Sequence, residues 1–190
     1  MKKFAGVLAA ACSVAALNSP VAAAGVNTAT TSIPTPNGTV EMHVTANCAG
    51  GEGRCFFNTQ VNLLTPDGPV GLPGDTWARQ TVTIRSTDRD VYQNAWYSAP
   101  AGMPRELKGA NHDNVLSKAY KSITDYEISV TYFGGGPLER FAGDGDSVQT
   151  DWRTGQPNLK AGFIVCSDIQ VVFGGVNVNT PSACAQTTFN

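Results

Sequence analysis

Thr39 to Leu64 reads TVEMHVTANCAGGEGRCFFNTQVNLL, and its alternation decides the fold. Val40, Met42, Val44 and Ala46 fall on one side of an extended chain, while Glu41, His43 and Thr45 fall on the other. A period of two marks a strand with one buried face. From Cys55 to Leu64 the pattern resumes through Phe57, Thr59, Val61 and Leu63, predicting a second strand. Between them, Ala49-Gly50-Gly51-Glu52-Gly53-Arg54 supplies the glycines that a tight hairpin loop requires.

Cys48 and Cys55 bracket that loop. The chain holds five cysteines, and Cys12 lies in an apolar N-terminal run, which leaves Cys48, Cys55, Cys166 and Cys184. An even number in an exported chain reads as two disulfides, with three connectivities open. The local pairing Cys48–Cys55 and Cys166–Cys184 is the expected one. Zinc is disfavoured because neither spacing resembles C-x2-C.

Export itself is read from the first residues. Lys2 and Lys3 precede an uncharged, Ala-rich run from Phe4 to Leu17, and Asn18-Ser19-Pro20 breaks it before Val21 to Ala24. This is signal-peptide anatomy, with cleavage expected after Ala24 and Gly25 as the new terminus. The run is shorter than the ~20 apolar residues of a membrane span. A lipid anchor at Cys12 would need a Leu three positions earlier, where Ala9 stands.

Outward from the hairpin, residues 25–38 are rich in Thr, Ser, Ala and Pro and are expected to form a flexible lead-in to a domain over 39–190. Alternation predicts further strands over Trp77–Ser86, Asp90–Ser98, Ile123–Phe133, Ser147–Arg153 and Ala161–Phe173. Thr65 to Asp75 and Gly134-Gly135-Gly136-Pro137 are turn chemistry. In the poorly patterned stretch from Ala99 to Ser122, Val115, Leu116, Ala119 and Tyr120 fall at helical spacing behind Asn111 and Asp113, which predicts one short helix. Beyond Gly174 the tail is expected to be pinned through Cys184. About seven short strands divided by Gly/Pro turns predict an all-β chain: a single disulfide-stapled β-sandwich, with a small β-barrel as the alternative.

Leu63-Leu64-Thr65-Pro66-Asp67-Gly68-Pro69 and Trp77-Ala78-Arg79-Gln80-Thr81, leading to Arg85-Ser86-Thr87-Asp88-Arg89, resemble secreted proteins of actinobacteria that have no assigned activity. The resemblance spans roughly residues 63–91. It implies a secreted or cell-envelope setting and transfers no catalytic residue.

Charge narrows the partners. Without Lys2 and Lys3 there remain 11 basic against 15 acidic residues, mixed along the chain. No basic run points to nucleic acid or to an anionic membrane surface, and no stable membrane insertion is expected once the signal is removed. The expected partner is a protein or a glycan, met by exposed aromatics and arginines. Trp77, Arg79 and Arg85 are the candidate binding residues, because alternation puts all three on one strand face.

Two other chemistries are open to this chain. A hydrolase would use His112 with a carboxylate or hydroxyl brought close by folding, yet no serine lies in a G-x-S-x-G elbow. A calcium-stabilised adhesion module would use Asp144, Asp146 and Asp151, since close carboxylates in a Gly-containing loop supply oxygen ligands. The EF-hand pattern fails, because its twelfth position, counted from Asp144, is Gly155. No other cofactor is expected.

Overall fold

In the computed structural model the opening hairpin forms as strands β2 (Gly38–Ala49) and β3 (Arg54–Thr65), paired in register from Thr39↔Leu64 to Ala49↔Arg54. The structure describes residues 25–50 and 53–189; the expected signal peptide, residues 1–24, lies outside them. The other strands are β1 (Asn27–Thr35), β4 (Gly68–Val70), β5 (Trp77–Ser86), β6 (Val91–Ser98), β7 (Asn111–His112), β8 (Val115–Lys121), β9 (Asp125–Phe133), β10 (Ala142–Asp151), β11 (Phe163–Phe173), β12 (Val176–Asn179) and β13 (Ala183–Thr187). All pairings are antiparallel.

Among the described residues the strands form two sheets and no closed barrel. Sheet A runs β1-β2-β3-β10-β6, with β4 also on β3; sheet B runs β12-β11-β5-β9-β8-β7, with β13 also on β11. The inward set is the one alternation selects: Val40, Met42, Val44, Phe57 and Val61 from sheet A meet Ala78, Val82, Ile84, Ile128 and Val130 from sheet B. The Tyr132 and Phe141 rings pack at a centroid distance of 5.0 Å beside them.

Both disulfides join residues directly opposite each other in adjacent strands: Cys48↔Cys55 in β2–β3 and Cys166↔Cys184 in β11–β13. They differ in setting. Cys48 and Cys55 are buried between the sheets, whereas Cys184 is exposed on the outer side of sheet B.

Three expectations need correction. The lead-in is largely strand β1, an edge element whose Ala29, Thr31 and Ile33 face Val44, Met42 and Val40 across the register. An edge strand with few inward apolar residues carries little alternation to read. The short helix is absent: residues 111–121 form the β7–β8 hairpin. Asp113 and Asn114, at φ 49° and 61°, both sit in the left-handed region, as a two-residue type I′ turn requires, so Asp113 is a hairpin-turn residue and Asn111 belongs to strand β7. The only helical element among the described residues is a 3-10 turn over Leu138–Phe141. Finally, thirteen strands among the described residues replace about seven, because β1, β4, β7, β12 and β13 are too short or too polar to show a period and the apolar spacing in β8 also fits a helix.

Burial also sets a pH response. Desolvation pushes the Tyr126 phenol up to about 12 and raises those of Tyr97 and Tyr132; the Tyr126 hydroxyl donates to the Leu107 carbonyl at 2.6 Å. A raised folded pKa stabilises fully below the unfolded value, and that contribution is lost as pH climbs through the folded value. Stability is therefore expected to fall from about pH 10 to about pH 12. Absorbance titration at the phenolate band should show these three tyrosines ionising together with unfolding. A smooth ionisation in the folded state would contradict it.

Candidate binding surfaces

β5 is a central strand of sheet B, flanked by β9 and β11. Its inward residues are Ala78, Gln80, Val82 and Ile84, so Trp77, Arg79, Thr81, Thr83 and Arg85 point outward together. The three residues singled out from sequence thus share one solvent face. The register sets Phe133 beside Trp77 and Thr131 beside Arg79, and β8 continues the face with Leu116, Lys118 and Tyr120.

A shallow groove of about 180 Å³ opens on this face, lined by Arg79, Leu116, Lys118, Tyr120, Ser129 and Thr131. Arg79 Nε donates to Ser129 Oγ at 3.1 Å, which orients the guanidinium over the sheet. Tyr120 is 52% exposed. Among the described residues neither Arg79 nor Lys118 has a carboxylate within 4 Å, and no acidic residue lines the groove. Two cations, an aromatic ring and two hydroxyls fit an anionic, hydroxylated ligand. Arg85 lies outside the groove, opposite Asp125 in the register. Lys118 is the residue that the helical reading of this segment concealed; a period of two through Leu116, Lys118 and Tyr120 was the available signal.

The calcium candidates do not converge. Asp144-Gly145-Asp146 is mid-strand rather than a turn, and both carboxylates are spoken for on the outer face of sheet A. Asp144 accepts from Arg105 Nη2 at 2.6 Å and from the Ser98 hydroxyl, and Asp146 pairs with Arg54 and Arg105. Asp151 ends the same strand, about 17 Å from Asp146 and about 23 Å from Asp144 at the rise of an extended chain. There its carboxylate accepts from the Thr154 and Arg153 amides, which hold its pKa below the usual value. No group of three or more metal-ligating side chains is present among the described residues.

His112 sits on β7 with Nε2 3.8 Å from Glu106 Oε1, beyond hydrogen-bond reach, and that nitrogen has no other partner. None of the described grooves is lined by it. His43 is held in a surface network instead. Its Nδ1 lies 3.0 Å from Thr30 Oγ1 and its Nε2 2.8 Å from Asn62 Oδ1, while Asn62 donates to Glu41 at 2.9 Å.

No protein-family model matches the chain, and no curated protein matches it. Among solved structures it is similar to a "Pore forming protein" at 4% identity and TM-score 0.26, over 85% of this chain and 86% of that one. It is similar also to the NetB toxin of Clostridium perfringens in its membrane-inserted form, at 7% identity and TM-score 0.22, over 85% and 91%. At such scores neither likeness bears on fold or function. No helix of the described residues is long and apolar enough to cross a membrane.

Proposed function

We propose that this chain is a secreted or cell-envelope-associated, non-enzymatic β-sandwich that binds an anionic glycan on the outer face of sheet B. The observation that carries the reading is the groove in which Arg79 and Lys118 stand without a carboxylate partner beside the exposed Tyr120 ring. Uronate or sulfate groups pair with the two cations, the ring stacks on a sugar face, and Ser129 and Thr131 meet sugar hydroxyls. The paired cysteines and the N-terminal signal pattern support an oxidising, exported setting.

Calorimetric titration with oligogalacturonate, a sulfated oligosaccharide and neutral cello-oligosaccharide tests it. Only the anionic sugars should bind, with affinity falling as salt rises. R79A/K118A should weaken binding by at least about tenfold at unchanged melting temperature, the two sites being exposed. Equal binding of the neutral sugar, an unaffected double variant, or no heat at about millimolar ligand would overturn the proposal.

A further inference from the structure

A second feature, independent of the sheet B face, lies along the side of the sandwich where β6 of sheet A meets the β8–β9 hairpin of sheet B. Two grooves of about 310 and 340 Å³ adjoin there, sharing Asn94 and Lys121. Leu107, Ala119, Tyr126 and Lys108 line the first. Tyr92, Ser122, Ile123 and Trp152 line the second.

Large apolar side chains are left in water here. Ile123 is 78% and Trp152 65% exposed, and Leu107 is also exposed. Single exposed apolar residues are ordinary, but three converging on one continuous channel mark a surface that another molecule covers. The channel is also cationic. Lys121 Nζ donates to Asn94 Oδ1 at 2.8 Å and stands 4.5 Å above the Tyr92 ring centre. Its ammonium is thus fixed at the junction of the two grooves by neutral groups alone. Neither Lys121 nor Lys108 has a carboxylate within 4 Å among the described residues, and no acidic residue lines either groove.

We infer that this channel binds an amphiphile with one anionic head and a long apolar tail, the chemistry of a fatty carboxylate. The head pairs with Lys121, held in place before binding by Asn94 and Tyr92, and Lys108 adds to the local positive potential. The tail lies over Ile123 and Trp152. A bare acidic peptide leaves the apolar walls uncovered, and a neutral surfactant leaves the ammonium unpaired, so charge and apolarity together select the class.

Sodium laurate, kept below its micelle concentration, is the probe, followed by tryptophan fluorescence of the oxidised protein. Trp152 loses water as the tail settles, so a saturable blue shift is expected. Dodecyl maltoside, with the same tail and no charge, should bind at least about tenfold more weakly. K121M, which keeps an apolar stem and removes the charge, should weaken laurate by a similar factor. I123S should also weaken it; both positions are exposed, so melting temperatures should stay unchanged. Equal binding of laurate and dodecyl maltoside, an unaffected K121M, or a hexaglutamate peptide competing as well as laurate overturns the inference. So does loss of laurate binding in R79A/K118A but not in K121M. Failure of the glycan titration leaves the inference untouched, since the two sites share no residue.

Discussion

Gly145→Ala is expected to lower the stability of the oxidised protein by roughly 2–4 kcal/mol, the range of overpacked or evicted core side chains. Gly145 lies in the middle of β10, between Phe57 on β3 and Tyr97 on β6. Glycine in a strand interior normally weakens it, by about 0.5–1 kcal/mol against alanine. Here the missing side chain is what lets Phe57 lie flat across the neighbouring strand, only 2% exposed. A Cβ at position 145 would overlap the Phe57 ring and stand 2.7 Å from the Trp96 carbonyl oxygen. The carbonyl belongs to the β10–β6 ladder and cannot retreat, so the ring must leave its site. Urea unfolding of G145A, F57A and the double variant checks this. Once the ring is gone only the contact with the Trp96 carbonyl remains, so the alanine should cost less in F57A than in the parent and the two effects should be non-additive. A G145A midpoint equal to that of the parent would refute the packing argument.

Gln80→Leu should cost about 2–3 kcal/mol, although leucine is the more apolar residue. Gln80 is buried between the sheets, where its Oε1 accepts from the Tyr132 hydroxyl at 3.0 Å and its Nε2 donates to Ser167 Oγ at 3.0 Å. Ser167 in turn donates to the Thr81 carbonyl at 2.9 Å. Leucine strands the Tyr132 hydroxyl in a dry interior, and an unpaired buried donor loses its full hydration. Removing that hydroxyl as well should help: Q80L/Y132F is expected to recover most of the loss, whereas Y132F alone strands the Gln80 oxygen. Chemical denaturation of the four proteins supplies the cycle. If the double variant is as unstable as the sum of the singles, the network is not what Gln80 contributes.

The same residue shows how far sequence reading reaches. Alternation places Gln80 on the face of Ala78, Val82 and Ile84 without asking whether a polar side chain is welcome there. That it is welcome depends on Tyr132, 52 residues away, and on Ser167, 87 away. Trp77, Arg79 and Arg85 show the same division. Their common face follows from a period of two, but the groove beside Arg79 exists because β8 supplies Lys118 and Tyr120 through the intervening strand β9. Asp144 and Asp146 looked like a turn because Asp and Gly dominate turns. What makes them strand is Phe57 covering Gly145 from β3 and arginines from positions 54 and 105 pairing the carboxylates.

By itself the sequence determined everything carried by local periodicity: an all-β chain, the β2–β3 hairpin, the inward residues of the long strands, and one shared face for Trp77, Arg79 and Arg85. Side-chain alternation is a property of the extended backbone and needs no partner to be visible. Only the tertiary structure decided which strands pair, which short polar segments become strands, and which cations are left without carboxylates. Those outcomes depend on residues far apart in the chain, whose energies appear only when two sheets have met.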